Sequence, residues 1–183
     1  MVGTIKVGKL QAADGTGDTI SIESGHKLGG AAGSITVPGT ILQTVKNSVT
    51  SGNSMSSSTA AALVTLGAIT TTVANSKIIV SSTVPVQLSS NSNAKALFTL
   101  RSSVDSYSAA LESHPCVNYA EGSNGWKQMG NNWFTLHSPS QPAGTAITYQ
   151  IWGARSGGTS GIYVLDAWGL AADHPTVMIE IAP

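Results

Sequence analysis

Hydrophobic and polar residues alternate in short runs along this chain, and a period of two predicts β-strands. Three such runs, residues 4–7, 19–22 and 34–37, recur at a spacing of fifteen residues, and each reads hydroxyl, Ile, polar, β-branched. Turn-forming sequences rich in Gly separate the runs. Residues 1–38 are therefore predicted to form a β-repeat stalk used for attachment and oligomerisation. The apolar positions expected to make these contacts are Ile5, Val7, Ile20, Ile22, Ile35 and Val37.

A stalk of this length is too small to fold alone. Its three strands bury about two Ile or Val side chains each, and each side chain gains roughly 2 kcal/mol. Ordering each residue of the stalk costs on the order of 1 kcal/mol or more. Because stacked repeats bury in their neighbours what they cannot bury alone, the pattern predicts an oligomer of this chain. Coincidence among common Thr and Ile residues is the alternative interpretation.

The rest of the chain predicts short strands separated by Pro, Gly, Ser and Asp clusters. We expect 76–84 and 95–101 to be neighbouring antiparallel strands, and the Gly-rich segment 156–161 to be a hairpin loop. Segment 60–66 is interpreted as strand-like, although its alanines also suit a helical turn. The remaining predicted strands are 40–45, 133–137, 145–154, 161–168 and 176–181.

The aromatic residues divide the chain into two regimes. All of them lie between Phe98 and Trp168, and large side chains of this kind fill the middle of a β-sandwich. The predicted fold class is therefore all-β, with the stalk at 1–38 followed by an antiparallel, jelly-roll-like β-sandwich head domain at 39–183.

Charge and cysteine content exclude several classes of function. Charged residues make up 10% of the chain and the formal net charge is zero, so we expect neither nucleic-acid binding nor membrane insertion. The single cysteine, Cys116, rules out an intrachain disulfide and is interpreted as a buried thiol. The N-terminal sequence lacks the features of a signal peptide, so we expect synthesis in a cytoplasm.

Several motifs, in this order, resemble the small receptor-tip or adaptor domains of bacteriophage tail fibres, particularly those of phages infecting aquatic bacteria. The similarity departs from the family at Asn75, where a Ser is usual, and in the shortness of the stalk. The motifs that carry it are Gly3–Val7, Ala12–Gly17, Ser34–Ile35, Pro38–Gln43, Asn75–Val80 and Thr148–Ile151.

The resemblance implies a homotrimer with a β-sandwich head, located in the virion tail and attached to other phage tail proteins through its N-terminal end. It also implies a non-enzymatic structural role in virion attachment, in which the head contacts host surface polysaccharide or receives the next fibre segment. The short stalk favours a compact piece close to the tail.

The sequence carries no motif for catalysis or cofactor binding. It has no P-loop and no Gly-x-Ser-x-Gly run. Its histidines are far apart in sequence, which does not suit a metal site, although threefold symmetry would bring three copies of His26 together. We therefore expect no enzyme activity, no cofactor and no metal. A small glycan depolymerase remains an alternative, because such an enzyme needs two carboxylates that face each other across the substrate. The carboxylates that could serve are Asp105, Glu112, Glu121, Asp166, Asp173 and Glu180.

Exposed tryptophans would allow sugar binding, because their rings stack on pyranose faces. Trp152 and Trp168 lie in predicted strands and are interpreted as core residues, although alternation places Trp152 on the face opposite Tyr149, Ile151 and Gly153. The candidate glycan contacts are Glu121, Asn124, Trp126 and Trp133.

The alternative to a virion protein is a stand-alone carbohydrate-binding module or lectin, a monomeric sandwich with a glycan groove. The repeat stalk and the missing export signal count against it. Subunit number in solution separates the two interpretations.

Overall fold

The computed structural model describes residues 38–49, 52–88, 94–118, 127–157, 162–164 and 174–183. These residues form β-strands and one short 3-10 turn at Ser103–Asp105, which confirms the all-β fold class. The strands are β1 (Ile41–Val49), β2 (Ser54–Met55), β3 (Ala61–Thr70), β4 (Lys77–Leu88), β5 (Ala94–Ser102), β6 (Glu112–Asn118), β7 (Lys127–His137), β8 (Ala146–Gly157), β9 (Ile162–Val164) and β10 (His174–Ile181).

The predicted stalk lies outside the described residues, apart from Pro38, and it stays a prediction. The same is true of its contact residues, which are Ile5, Val7, Ile20, Ile22, Ile35 and Val37. The described part begins at the Pro38-Gly39 turn, where Gly39 adopts a φ of 80° that favours glycine. β1 follows this turn, as the sequence predicts.

The strands form two antiparallel sheets. Sheet A has the order β1-β10-β4, with β7 on the other side of β4; β9 also pairs with β4 and with β2. Sheet B has the order β3-β8-β5-β6. Because strands from both sheets bury one face against the other sheet, the molecule is the predicted β-sandwich.

The strand pairing is that of a jelly roll. Leaving out the short β2 and β9, the first strand pairs with the last, β1 with β10, and the second with the second-last, β3 with β8. The inner pairs are β4 with β7 and β5 with β6. These nested pairs form one long antiparallel ribbon that folds over into two sheets, which is the jelly-roll arrangement.

Two predicted connections are wrong. Segments 76–84 and 95–101 do form strands, but β4 belongs to sheet A and β5 to sheet B, so they are not neighbours. The Gly-rich segment 156–161 does not close a hairpin, because β8 lies in sheet B whereas β9 pairs in sheet A. In both cases the chain passes from one sheet to the other, as consecutive strands of a jelly roll mostly do.

The core lies between the sheets and follows the alternation of each strand. The strand-like interpretation of 60–66 is confirmed by β3, which supplies several of these side chains. In β8, alternate residues face the core, with Ile147, Tyr149 and Ile151 all 0% exposed. The largest other side chains in the core are Trp133, Phe98, Leu63, Leu66, Ile69, Ile78 and Leu100.

One carboxylate lies inside this core. Glu180 of β10 is 0% exposed, and its oxygens accept hydrogen bonds from the Thr72 amide at 2.7 Å and the Thr72 hydroxyl at 2.9 Å. Gln43 of β1 donates a third at 2.7 Å. Thr72 lies two residues after the end of β3, so Glu180 connects sheet A to the end of a strand of sheet B.

Hydrogen bonding sets the charge state of this carboxylate. Burial favours the neutral acid and opposes ionisation, but the hydrogen bonds that Glu180 accepts together outweigh burial and hold its pKa below the usual value of 4.5. A buried carboxylate that keeps its charge stabilises the fold only while these donors stay in place.

We predict that Glu180→Gln lowers the free energy of unfolding at pH 7 by about 2 kcal/mol, since hydrogen bonds to a charged group contribute ~1.5–3 kcal/mol each. The folded-state pKa of Glu180 is depressed, so its contribution is present above an unfolded pKa near 4.5 and is lost as the pH falls through the folded value. Urea unfolding at fixed chain concentration, repeated from pH 7 downwards, measures both effects.

Thr176→Val is the matched control, because Thr176 lies on the same face of β10 and shares a neutral 2.8 Å hydrogen bond with Ser82. This control should lose stability equally at every pH. An acid slope in Glu180→Gln that equals the wild-type slope would contradict the role given to the carboxylate.

Candidate functional site

The predicted glycan contacts do not come together in the described part of the chain. Glu121, Asn124 and Trp126 lie outside the described residues and stay predictions. Trp133 is described, and it is 1% exposed in the core. This placement corrects the prediction for Trp133, because a ring that is closed off by core packing offers no face to a sugar.

The surroundings of Trp133 show how the core closes at its edge. The edge of the His114 ring packs against Trp133, with ring centroids 4.4 Å apart and planes at 75°. His114 Nε2 lies 2.8 Å from a Glu112 oxygen, and the Thr135 hydroxyl donates to the other oxygen. Glu112 therefore holds β6 of sheet B against β7 of sheet A, which is a structural role.

A different group of aromatic and cationic side chains lies on the outer face of sheet B. Trp152 points away from the core, as alternation predicts, and its ring is half-buried on the surface rather than in the core. The Tyr107 ring stacks beside it at 5.9 Å with an interplanar angle of 28°. The Arg101 guanidinium lies 4.9 Å from the centre of the Trp152 ring, within cation–π range. Arg101, Tyr107 and Trp152 are called the aromatic cluster below.

Hydrogen bonds orient the Trp152 and Arg101 side chains of the aromatic cluster. The indole Nε1 of Trp152 donates to Gln150 Oε1 at 3.0 Å, and Gln150 Nε2 donates to Thr65 Oγ1 at 3.2 Å. Arg101 Nε donates to Thr99 Oγ1 at 3.0 Å. The Gln150–Thr65 bond joins β8 to β3, whereas the other two bonds lie within β8 and within β5, so residues of the sheet itself orient Trp152 and Arg101.

Tyr107 reaches the cluster through an unusual backbone. Ser106 and Tyr107 both have left-handed φ angles, 57° and 62°, which cost a non-glycine residue about 1 kcal/mol or more each. The Tyr107 amide donates to the Ser102 carbonyl at 3.0 Å, and the Tyr107 carbonyl accepts from Arg101 at 2.8 Å. The strained turn is thus held by the strand on which Arg101 lies.

Alternation placed Trp152 on the correct face of its strand, but the interpretation of Trp152 as a core residue was wrong. Sequence reasoning also did not connect Trp152 with Tyr107 or Arg101. Only the alternation of β8 carried a signal, because it put Trp152 on the face opposite Tyr149. The meeting of Tyr107 with Trp152 depends on the pairing of β5 with β8 and on two left-handed residues, and neither follows from local sequence.

A second surface lies on the outer face of sheet A. Phe134 is 69% exposed, Leu136 58% and Ile41 61%. Cross-strand pairing aligns Ile179 with Ile79 and Ile79 with Leu136, so apolar side chains continue across the sheet. The residues that form this apolar face are Ile41, Ile79, Phe134, Leu136, Val177, Ile179 and Ile181.

Other titratable groups serve the core. His137 Nδ1 lies 2.9 Å from the Tyr149 hydroxyl. Burial lowers the pKa of His137, against a smaller opposing effect of Asp105, and burial raises the pKa of Tyr149, so both are neutral at pH 7. Within the described ranges, no three His, Cys, Asp or Glu side chains converge as metal ligands. No helix in those ranges is long and apolar enough to span a bilayer.

Comparison with known proteins gives only distant structural similarity. No protein-family model and no curated protein matches the chain. Dimeric latent PorU from Porphyromonas gingivalis is 8% identical, with a TM-score of 0.39 over 84% of this chain. Infectious bursal disease virus structures of the Gx and Gt strains are 12% and 14% identical, with TM-scores of 0.34 and 0.35 over 76% of it.

The chain spans 14% of the PorU chain and 36% of each viral chain. Similarities with such low TM-scores carry no argument about function. The evidence for the function of this chain therefore comes from its own surfaces.

We predict that Arg101→Lys loosens the Ser106–Tyr107 turn, because lysine cannot donate to Thr99 and to the Tyr107 carbonyl in the fixed geometry of a guanidinium. Hydrogen exchange of the Tyr107 amide should accelerate about tenfold, whereas exchange in the core strand β8 should stay as in the wild type. Unchanged exchange at Tyr107 would show that Arg101 does not hold the turn.

Proposed function

We propose that this chain is a non-enzymatic virion structural protein, a tail-fibre or fibre-adaptor subunit of a phage, whose jelly-roll head assembles as a homotrimer and takes part in attachment to the host surface. The motifs that resemble tail-fibre heads support the proposal, because the described ones lie on framework strands. Pro38–Gln43 leads into β1, Asn75–Val80 into β4, and Thr148–Ile151 lies in β8. The resemblance thus concerns residues that build the sandwich.

The observation that carries the proposal is the apolar face of sheet A. Soluble monomers rarely expose contiguous apolar patches of more than a few hundred Å², and larger ones mark interaction sites. The face crosses β1, β10, β4 and β7, and ordinary strand spacings make it roughly 15–20 Å wide in each direction, or about 300 Å² in plan. A patch of this size is like the largest apolar patch of a typical monomer, and such patches are often functional. We propose that the assembled protein covers it.

We propose that two further copies of this chain cover the apolar face. A standard interface buries about 800 Å² on each partner and has an apolar centre with a polar rim. The apolar face has this organisation, because exposed Thr44, Lys46, Lys77, Thr83 and Asn132 lie around it. In a cyclic trimer each copy presents the same face toward the axis, so the three patches cover one another.

The remaining partners follow from the predicted stalk. Copies of residues 1–38 would complete one another and dock to another tail protein. The head would contact host polysaccharide or receive the next fibre segment. The location in this proposal is the virion tail, after synthesis in the host cytoplasm.

We predict that the full chain has a mass of three times 18.6 kDa, about 56 kDa, at micromolar concentration, and that Phe134→Ser combined with Leu136→Ser reduces it to 18.6 kDa. Serine places a hydroxyl where the trimer would bury a large apolar side chain, and burial of such side chains contributes about 1.5–3 kcal/mol each. Sedimentation velocity or light scattering measures the mass.

Leu97→Ser is the matched control, since Leu97 is 40% exposed but lies on sheet B. This variant should remain a trimer. A wild-type chain that sediments as a monomer would overturn the proposal.

One observation favours a second candidate function. The aromatic cluster on sheet B suits a stand-alone carbohydrate-binding module or lectin as well as a fibre head. A monomer that binds glycan would favour the lectin, whereas a trimer favours the virion protein.

A further inference from the structure

We infer that the aromatic cluster is a contact site for a polysaccharide, with a pyranose ring lying against the parts of the half-buried Trp152 and Tyr107 side chains that Arg101 and their mutual stacking leave uncovered. This inference rests on the proposed attachment function and gives it a chemical target. It assigns sugar recognition to Arg101, Tyr107 and Trp152, on the outer face of sheet B.

The shape of the surface selects the class of ligand. Trp152 lies on a flat sheet face between side chains of neighbouring strands, including the exposed Thr65. The cavities along β1 are lined by residues such as Ser48 and Asn53, and the aromatic cluster borders neither of them. Among the described residues the cluster is an open surface on the sheet, and such a surface suits an extended polymer better than a small molecule, because small ligands need concave sites to bury their surface.

The chemistry around the rings suits a sugar. A pyranose presents C–H groups on one face and hydroxyls at its edge, so it requires an aromatic surface next to hydrogen-bonding groups. Gln150 and Thr65 supply amide and hydroxyl groups beside Trp152. Arg101 uses Nε and one terminal nitrogen for bonds within the protein. Its other terminal nitrogen makes no hydrogen bond to the described residues and can donate to a hydroxyl or carboxylate of the ligand.

Charge favours an acidic polysaccharide over a neutral one. The outer face of sheet B carries Arg101 and the exposed Lys95, and no acidic side chain among the described residues of β3, β5 and β8. A uronate carboxylate would meet positive charge on this face, and the interaction would weaken as salt is added.

The backbone at Tyr107 indicates that holding the Tyr107 ring beside Trp152 costs conformational free energy. Two left-handed, non-glycine residues in a row place the Tyr107 ring beside Trp152. Strain of this kind persists where surrounding bonds enforce it, and it concentrates at binding sites. A glycine at position 107 would relieve the strain but would remove the ring. The strained backbone therefore serves to place the tyrosine ring in the site.

The test is binding of the full chain to an array of defined oligosaccharides, with neutral hexopyranose and uronate-containing members. The best ligand is then titrated against variants. We expect Trp152→Ala to weaken binding at least about tenfold and Tyr107→Gly several-fold, since aromatic contacts of this kind contribute about a factor of ten. Uronates should bind more tightly than neutral sugars, and the preference should shrink at high salt.

Tyr107→Gly is the variant least exposed to misfolding, because glycine accepts the left-handed backbone. Ser140→Gly is its matched control: Ser140 also has a left-handed φ, 52°, but lies in the β7–β8 connection. The control should bind as the wild type does. Binding to no array member, or binding that Trp152→Ala and Tyr107→Gly leave intact, would overturn the inference.

Sedimentation velocity distinguishes a failure of the glycan site from a failure of the proposed trimer. The sheet B variants should keep the trimer mass, so a trimer that binds no sugar would reject the glycan site and leave the structural role standing. A monomer that loses binding with Trp152→Ala would reject the trimer and leave the site.

Discussion

Side-chain alternation on paired antiparallel strands is the constraint on which this molecule depends. Each strand sends every second residue into one core, so the two sheets can pack only face to face, and each keeps one outer face. Glu180 fits within this constraint because its strand position points inward, where Thr72 and Gln43 provide donors. The charged group thereby links the end of β3 to sheet A. The outer faces carry the aromatic cluster and the apolar face, which lie outside the core between the sheets.

The sequence predicted strand positions well, because alternation is local. β1, β7, β8 and β10 fall where the sequence predicted strands, and β3 falls where it predicted a strand-like segment, with ends displaced by up to six residues. Strand pairing was predicted less well. β1 pairs with β10 from the far end of the chain, and of the eight long strands only β5 and β6 are both consecutive and paired. Nothing in a local pattern distinguishes such nesting from a simple meander.

The candidate site was also only partly predictable, because local sequence does not reveal tertiary contacts. Alternation gave the outward direction of Trp152, yet residue type suggested a core role, since large aromatic residues fill most sandwiches. Trp133 showed the reverse: it was predicted as a glycan contact, but its strand position points inward against His114. For both tryptophans, the direction of the side chain follows from strand parity. Tyr107 joins Trp152 only through tertiary structure.

We propose that other copies of this chain cover the apolar outer face of sheet A. Hydroxyl-radical footprinting of the assembled protein measures this cover, because it reports the solvent exposure of individual side chains. We expect Phe134 and Leu136 to be strongly protected relative to the 69% and 58% exposure of an isolated subunit, while Trp152 on the other sheet stays reactive. Phe134 and Leu136 reacting at the rate of freely exposed side chains would contradict it.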